Sequence, residues 1–204
     1  VDDTIGKAAK VIRATYLHPY QMHGSIAASC AVADVQGGSG ANAKARIWSA
    51  TQGVYPQRDS VARVLDIPKN NIRVTYVEGS GCYGCNGNDT VSYDAALLSQ
   101  GDGKPVRVQY TRADEMAAAE NYGPAYVIDL KAGLDDKNNM IAWDYEAWTL
   151  SKGGRPAEAT PGNIVTGELV GFEAPPVVPA AGTTPTAFGN NGNSASSYGA
   201  GVVG

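Results

Sequence analysis

Short runs of alternating or β-branched apolar residues recur along the first 150 residues. They predict strands at 10–16, 29–35, 43–49, 71–77, 105–110, 126–130 and 140–148. The runs 29–35 and 43–49 are joined through Gly37-Gly38-Ser39-Gly40 and read as a hairpin. A longer hairpin is predicted around the polar turn Asp135-Asp136-Lys137-Asn138-Asn139. Helical spacing predicts a helix over 58–65, with Asp59 or Ser60 as N-cap and Pro68 beyond its end. A second helix is predicted over 90–100, capped by Asp89 or Thr90 and carrying Ala95, Leu97 and Leu98 as apolar residues, and a third over 113–120. This order of elements predicts an α+β fold with a mixed sheet.

The pattern stops near residue 150. The segment 151–204 holds 11 of the 25 glycines and 6 of the 11 prolines. It is expected to be loop or extended chain, because such a composition offers no continuous apolar face. Its scattered apolar residues (Ile164, Val165, Leu169, Val170, Phe172, Val177, Val178) are more than a free linker needs. The expected organisation is therefore a globular part, 1–150, and a Gly/Pro-rich segment, 151–204, that packs on something this chain lacks.

Composition narrows the function classes. The apolar fraction is 43%, the charged fraction 18% and the formal net charge −4. These values exclude a charge-dominated disordered chain. They also disfavour a nucleic-acid or anionic-membrane binder, both of which need a basic face. No uncharged apolar run is long enough for a transmembrane helix. Val1-Asp2-Asp3-Thr4 has neither an initiator Met nor the basic and apolar regions of a signal peptide, and is expected to be a processed or truncated start.

The candidate chemistry centres on Glu78-Gly79-Ser80-Gly81-Cys82-Tyr83-Gly84-Cys85-Asn86-Gly87, which leaves a predicted strand and enters a predicted helix. Glycines let backbone N–H groups approach a ligand closely, and the helix N-terminus adds a positive dipole. Such a loop suits a phosphate, a pyrophosphate or an oxo group; a tight turn without a ligand is the plainer alternative. It is not a Walker A loop, since no Gly-Lys-Ser/Thr closes it. Gly79, Gly81 and Gly84 satisfy the letters of G-x-G-x-x-G, but the acidic residue of a dinucleotide site is missing. Cys82 and Cys85 are two ligands where a structural zinc needs four, and they are expected as free thiols; His18 and His23 are the only histidines available to complete a set. The polar stretch His18-Pro19-Tyr20-Gln21-Met22-His23 is a solvated loop or, through Gln21, a donor–acceptor site for a metal-oxo or pterin group. No G-x-S-x-G elbow is present.

Three stretches, in order, resemble the molybdenum-binding subunit of the xanthine dehydrogenase and aldehyde oxidase family, the molybdenum hydroxylases. The first is Gln21-Met22-His23-Gly24-Ser25-Ile26-Ala27-Ala28-Ser29-Cys30. The second is Ile47-Trp48-Ser49-Ala50-Thr51-Gln52 with Val61-Ala62-Arg63-Val64-Leu65-Asp66-Ile67-Pro68. The third is Gly79-Ser80-Gly81-Cys82-Tyr83-Gly84, followed by Lys104-Pro105-Val106-Arg107 and Thr111-Arg112-Ala113-Asp114-Glu115-Met116. The resemblance covers roughly residues 10–150 and implies the first part of a molybdopterin-binding domain.

By that resemblance Gln21 matches a Gln that hydrogen-bonds at the molybdenum centre. Tyr83 and Gly84 match a Phe-Gly pair whose backbone N–H groups face the metal-oxo ligand; an offset of one residue makes Cys82 the equivalent, and Gly81 belongs to the same loop. The implied cofactor is molybdopterin, in some members as its cytosine dinucleotide, carrying molybdenum. The implied reaction is oxidation of an aldehyde or N-heterocycle with water as oxygen source. No protein ligand to the metal and no catalytic residue are expected in this chain, because the family's Phe-Arg-Gly-Phe-Gly segment and its Gly-x-Gly-Glu base are missing. The implied partners are the remainder of the molybdenum subunit, an iron–sulfur subunit, a flavin or cytochrome subunit and a small-molecule substrate. The implied setting is bacterial, cytoplasmic or periplasmic. Ala27 stands where the family often has Glu, and Asn86 or Gly87 where purine-oxidising members bind substrate through Glu. These departures leave a second reading, a binding or scaffold module of the same fold that has lost the cofactor.

Overall fold

The computed structural model describes residues 1–83, 88–119, 122, 125–149, 161 and 165–173. In chain order the elements are α1 (Asp2–Gly6), β1 (Lys10–His18), β2 (Cys30–Gln36), β3 (Lys44–Ser49), α2 (Val54–Leu65), β4 (Ile72–Tyr76), α3 (Asn88–Asp102), β5 (Val106–Gln109), α4 (Arg112–Asp114), β6 (Tyr126–Leu134), β7 (Met140–Thr149) and α5 (Val165–Leu169). A 3-10 turn occupies Lys69–Asn71 and a π turn Glu115–Ala119. The described residues fall into two compact units, divided between Gln21 and Met22 and again between Tyr122 and Gly123, with 165–173 belonging to the second.

In the first unit β1, β6 and β7 form an antiparallel sheet in the order β1-β6-β7. The expected hairpin at 135–139 is present. Asp135 Oδ1 accepts from the N–H groups of Lys137 (2.9 Å) and Asn139 (2.8 Å), which closes the turn. One sheet face is polar, with Thr15 donating to Asp129 at 2.6 Å and Lys131 pairing with Asp144 at 2.9 Å. Helix α1 is not foreshadowed in the sequence: five residues give no readable period. Asp2 and Asp3 suit its N-terminal end, and Ile5 is buried. Gly133 makes room for it, since a Cβ there would meet Ala8 Cβ at 3.0 Å and Ile5 Cα at 3.5 Å.

The second unit is built on a four-stranded mixed sheet in the order β4-β3-β2-β5. β2 and β3 pair as the expected antiparallel hairpin, and β3 and β4 run parallel with α2 as their crossover. Period-2 alternation sends Ala31, Ala33, Val35, Ala45 and Ile47 to one face, all buried. That face packs against Val61 and Leu65 of α2 and Val91, Tyr93, Ala95 and Ala96 of α3 in a single apolar cluster. Alanine on both sides brings α3 close enough for Ser92 Oγ to donate to Ser49 Oγ at 2.7 Å. Ser99 Oγ likewise accepts from the Val35 N–H at 2.9 Å and donates to the Lys104 carbonyl at 2.7 Å.

Three boundaries differ from expectation, each for a local reason. α2 starts at Val54 with Gly53 as N-cap, so neither Asp59 nor Ser60 caps it; Ser60 is fully buried and Asp59 pairs with Arg58 at 2.7 Å. Pro56 lies in the first turn, where its missing N–H costs nothing. α3 begins at Asn88, which puts Asp89 and Thr90 inside its first turn. The helix expected at 113–120 is present from Arg112 to Ala119, opened by a capping box between Thr111 and Asp114 as a short α4 and continued as the π turn.

Most of 151–204 lies outside the described residues. Within it, α5 is an unforeseen helix, ended by Gly171 at φ +93 with Phe172 N–H donating to Gly167 O at 3.0 Å. It is tied into the second unit. Thr166 Oγ1 donates to Asp94 Oδ1 at 2.6 Å, and Arg63 lies over the Phe172 ring at 5.4 Å. Asp94 also accepts from the Tyr110 hydroxyl. Burial first, and the bond to Asp94 second, hold the Tyr110 phenol well above its ordinary value. The unfolded chain ionises this group near pH 10.0 and the folded chain resists. The stability it contributes is therefore whole below pH 10.0 and is lost as the pH rises above it. Tyr110→Phe should flatten this alkaline fall in denaturant melts between about pH 9 and 11; an unchanged pH dependence would show that Tyr110 does not carry it.

Candidate functional site

The strand directions bring the C-terminal ends of β3, β4 and β5 and the N-terminal end of β2 to one end of the second unit's sheet. Sheet-end crevices of this kind are where ligands enter α/β folds. A cavity of about 410 Å³ opens there, within the size range of small-molecule sites. Small residues, Ala27, Ala28, Ala50 and Gly79, form much of its wall. Trp48, Cys30, Glu78, Ser80 and Gln109 supply its larger and polar groups.

Two chain segments shape the cavity, and both are irregular. The first is 25–29, leading into β2. The second is 79–83, leaving β4. They are stitched together by Ser80, whose Oγ donates to the Ala27 carbonyl at 2.8 Å and whose own carbonyl accepts from the Ile26 N–H at 3.4 Å. The 79–83 loop needs its glycines. A Cβ on Gly79 would sit 2.7 Å from Ala50 Cβ, and Gly81 (φ +94) lies directly under the Tyr83 ring, 2.7 Å from where its Cβ would be. Tyr83 itself is left-handed, at φ 54, and 65% exposed. Among the described residues no backbone carbonyl accepts from the N–H groups of Gly79, Ser80 or Tyr83.

Behind the 25–29 segment stands a carboxylate of the family-resembling stretch Thr111-Arg112-Ala113-Asp114-Glu115-Met116, to which the sequence reading assigns no role. Glu115 is fully buried. Its Oε1 accepts from the Ser29 N–H at 2.6 Å and its Oε2 pairs with Arg112 Nη1 at 2.7 Å. Arg112 Nη2 in turn donates to the Ser25 carbonyl. The signal in the sequence is the family resemblance of that stretch; its local pattern, an Arg and a Glu three apart beside alanines, is one that a solvated helix face shares.

Of the predicted site residues, Gly81, Cys82 and Tyr83 lie together in the loop of the second unit, while Gln21 is an exposed residue at the end of the first. Gly84 and Cys85 lie outside the described residues, as do Asn86 and Gly87. His18 stands in the first unit, edge-on to Tyr126 at 5.6 Å, with its Nδ1 buried and unpartnered; His23 is in the second. Among the described residues no group of three or more His, Cys, Asp or Glu side chains is arranged to hold a metal ion. No helix of the described residues is long and apolar enough to cross a membrane.

Residues 1–168 match the profile of the molybdopterin cofactor-binding domain, and the chain belongs to that family. A nicotinate dehydrogenase subunit of Pseudomonas putida is 37% identical over 153 residues, covering 75% of this chain and 12% of that protein. A probable xanthine dehydrogenase subunit of Bacillus subtilis is 29% identical over 144 residues, 71% of this chain and 19% of that one. The chain thus spans between 12% and 21% of the length of these curated relatives and the aldehyde oxidoreductase molybdenum-binding subunit of Escherichia coli. Quinoline 2-oxidoreductase from Pseudomonas putida 86 shares the fold with a TM-score of 0.59 at 20% identity, over 73% of this chain and 19% of its own. The CO dehydrogenase of Oligotropha carboxidovorans does so with a TM-score of 0.55 at 16% identity, over 72% and 18%.

The cavity's residues fit the group that gives this family its name. Small side chains leave room for a flat ring system, and N–H groups without a backbone acceptor are neutral donors suited to an oxo or phosphate oxygen. The fit depends on the close approach of Gly79 to Ala50. Gly79→Ala should destabilise the chain by about 1–3 kcal/mol in denaturant melts, the usual cost of overpacking, and Ala50→Gly in the same chain should restore most of it. A Gly79→Ala chain as stable as the parent would show that the loop does not need this contact.

Proposed function

We propose that this chain is the part of a molybdenum hydroxylase's molybdenum-binding subunit whose residues cradle molybdopterin, in an enzyme oxidising an aldehyde or N-heterocycle. The observation that carries this reading is the small-walled cavity at the sheet end, bounded by the 79–83 loop, in a chain of the molybdopterin cofactor-binding family. The names of relatives that act on nicotinate, quinoline and aldehydes support the substrate class. When bound, the molybdenum cofactor supplies hydroxylation of carbon with water as the oxygen source.

The chain's own part is binding and orientation. Gly79, Ser80 and Tyr83 offer N–H groups that have no backbone acceptor among the described residues, the family resemblance assigns Gly81, Cys82 and Gly84 to the same cofactor-binding stretch, and Gln21 offers an amide that both donates and accepts. The cytosine dinucleotide form of the pterin, and iron–sulfur clusters on a partner chain that carry electrons away, belong to the same proposal. So does a catalytic carboxylate base supplied from outside residues 1–204. The remainder of the subunit would cover apolar groups that α5 leaves open: Leu169 is 81% exposed and Val170 45%.

Metal and pterin analysis of the native assembly tests the reading, with about one molybdenum and one pterin per copy of this chain expected. A native assembly with neither would instead support the scaffold reading. Gln21→Ala in the assembly should lower turnover by on the order of tenfold or more with molybdenum retained, the cost of one hydrogen bond at a reacting centre. Unchanged turnover at full molybdenum occupancy would remove Gln21 from the site.

A further inference from the structure

We propose that Glu115 is a positioning residue for the candidate site: through Ser29 and Arg112 it fixes the 25–29 segment, and through Ser80 that segment fixes the 79–83 loop. The proposal rests on the reading of this cavity as a cofactor cradle, and it concerns Glu115 and Arg112, which do not line the cavity.

The argument begins with burial. A carboxylate with no exposed surface is costly unless both oxygens are engaged. Here one oxygen is spent on a backbone N–H 86 positions earlier in the chain, at Ser29, and the other on Arg112. Charge-assisted bonds of this kind are short and directional, so they fix position as well as attract. Arg112 is the second arm of the same clamp. Its Nη2 donates to the Ser25 carbonyl and reaches the Ile26 carbonyl at 3.5 Å. The irregular segment 25–29 is therefore held at both ends from one point, the start of the π turn.

The held segment then acts on the loop. Its middle carbonyl, on Ala27, accepts from Ser80 Oγ at 2.8 Å and from Ser25 Oγ at 2.9 Å. Ala27 and Ala28 line one side of the cavity, and Gly79 and Ser80 line another. Displacing 25–29 thus moves one wall directly and releases the second through Ser80. An ion pair used only for stability is replaceable by apolar side chains of similar volume. Fixing two walls to each other requires directed bonds, which apolar packing does not supply.

Hydrogen–deuterium exchange on the native assembly tests the chain of contacts without relying on activity. Glu115→Gln keeps the side chain's volume and one acceptor for Ser29, but turns an amide donor toward Arg112. It should speed exchange of the 25–29 and 79–83 amides by on the order of tenfold, and leave the amides of β2, β3 and β5 unchanged. Ser80→Ala should speed 79–83 alone. In the double variant 79–83 should exchange no faster than in Ser80→Ala. Three results would overturn the proposal: an unaffected 79–83 loop in Glu115→Gln, multiplied rates in the double variant, or faster exchange throughout the sheet. Pterin content is a separate readout. It should fall in Glu115→Gln relative to the parent; a parent without pterin overturns the function proposed above, while the exchange rates still decide the role of Glu115.

Discussion

The second unit depends on how closely α3 approaches its sheet. Ala31, Ala33 and Ala45 on the strands face Ala95 and Ala96 on the helix, all fully or almost fully buried. Where these alanines meet, the backbones come near enough for serine hydroxyls to bridge helix and strand, Ser92 to Ser49 and Ser99 to the Val35 N–H. Such a contact tolerates no added methylene on either side, because a packed interior has no slack to absorb it. It fixes α3 against β2, and with it the start of the helix that follows the glycine loop.

The consequence for the site is one of anchoring. The 79–83 loop leaves β4, which is held in parallel register with β3 from Ala45↔Ile72 to Ser49↔Tyr76. The next described residues, from Asn88, belong to α3. Glycines between such fixed ends let the backbone pass Ala50 and turn under Tyr83 while keeping side chains out of the cavity. Ala27, Ala28, Ala50 and Gly79 keep the cavity walls small, and the N–H groups of Gly79, Ser80 and Tyr83 are left without a backbone acceptor among the described residues.

Polar groups inside this unit are arranged in linked sets. Glu115, Arg112, Ser29 and Ser25 form one; Asp94, Tyr110 and Thr166 form another, which brings α5 onto the unit. Each places a carboxylate where a donor near it in the chain, Arg112 or Tyr110, meets one from far along it, Ser29 or Thr166. Apolar packing gives the unit its cohesion, and these sets give particular segments their places.

Much of the secondary structure was legible because its cause is local. Alternation over 29–49 and the polar turn at 135–139 are properties of consecutive residues, and both hairpins follow from them. The glycine loop was legible for the same reason, as was the family, whose motifs are short strings. The sequence did not show that Pro56 falls inside the first turn of α2, that the expected third helix becomes a π turn, or that a piece of the Gly/Pro-rich segment forms α5. Nor did it show that Glu115 is an enclosed carboxylate behind the cavity wall, since an acidic residue near Ala113 and Ala117 reads as solvated. The docking of α5 and the enclosure of Glu115 depend on partners 72 and 86 positions away, Thr166 for Asp94 and Ser29 for Glu115. Periodicity and turn chemistry reach across a few residues; burial and the meeting of donor with acceptor exist only once the chain has closed on itself, so the tertiary structure alone decided them.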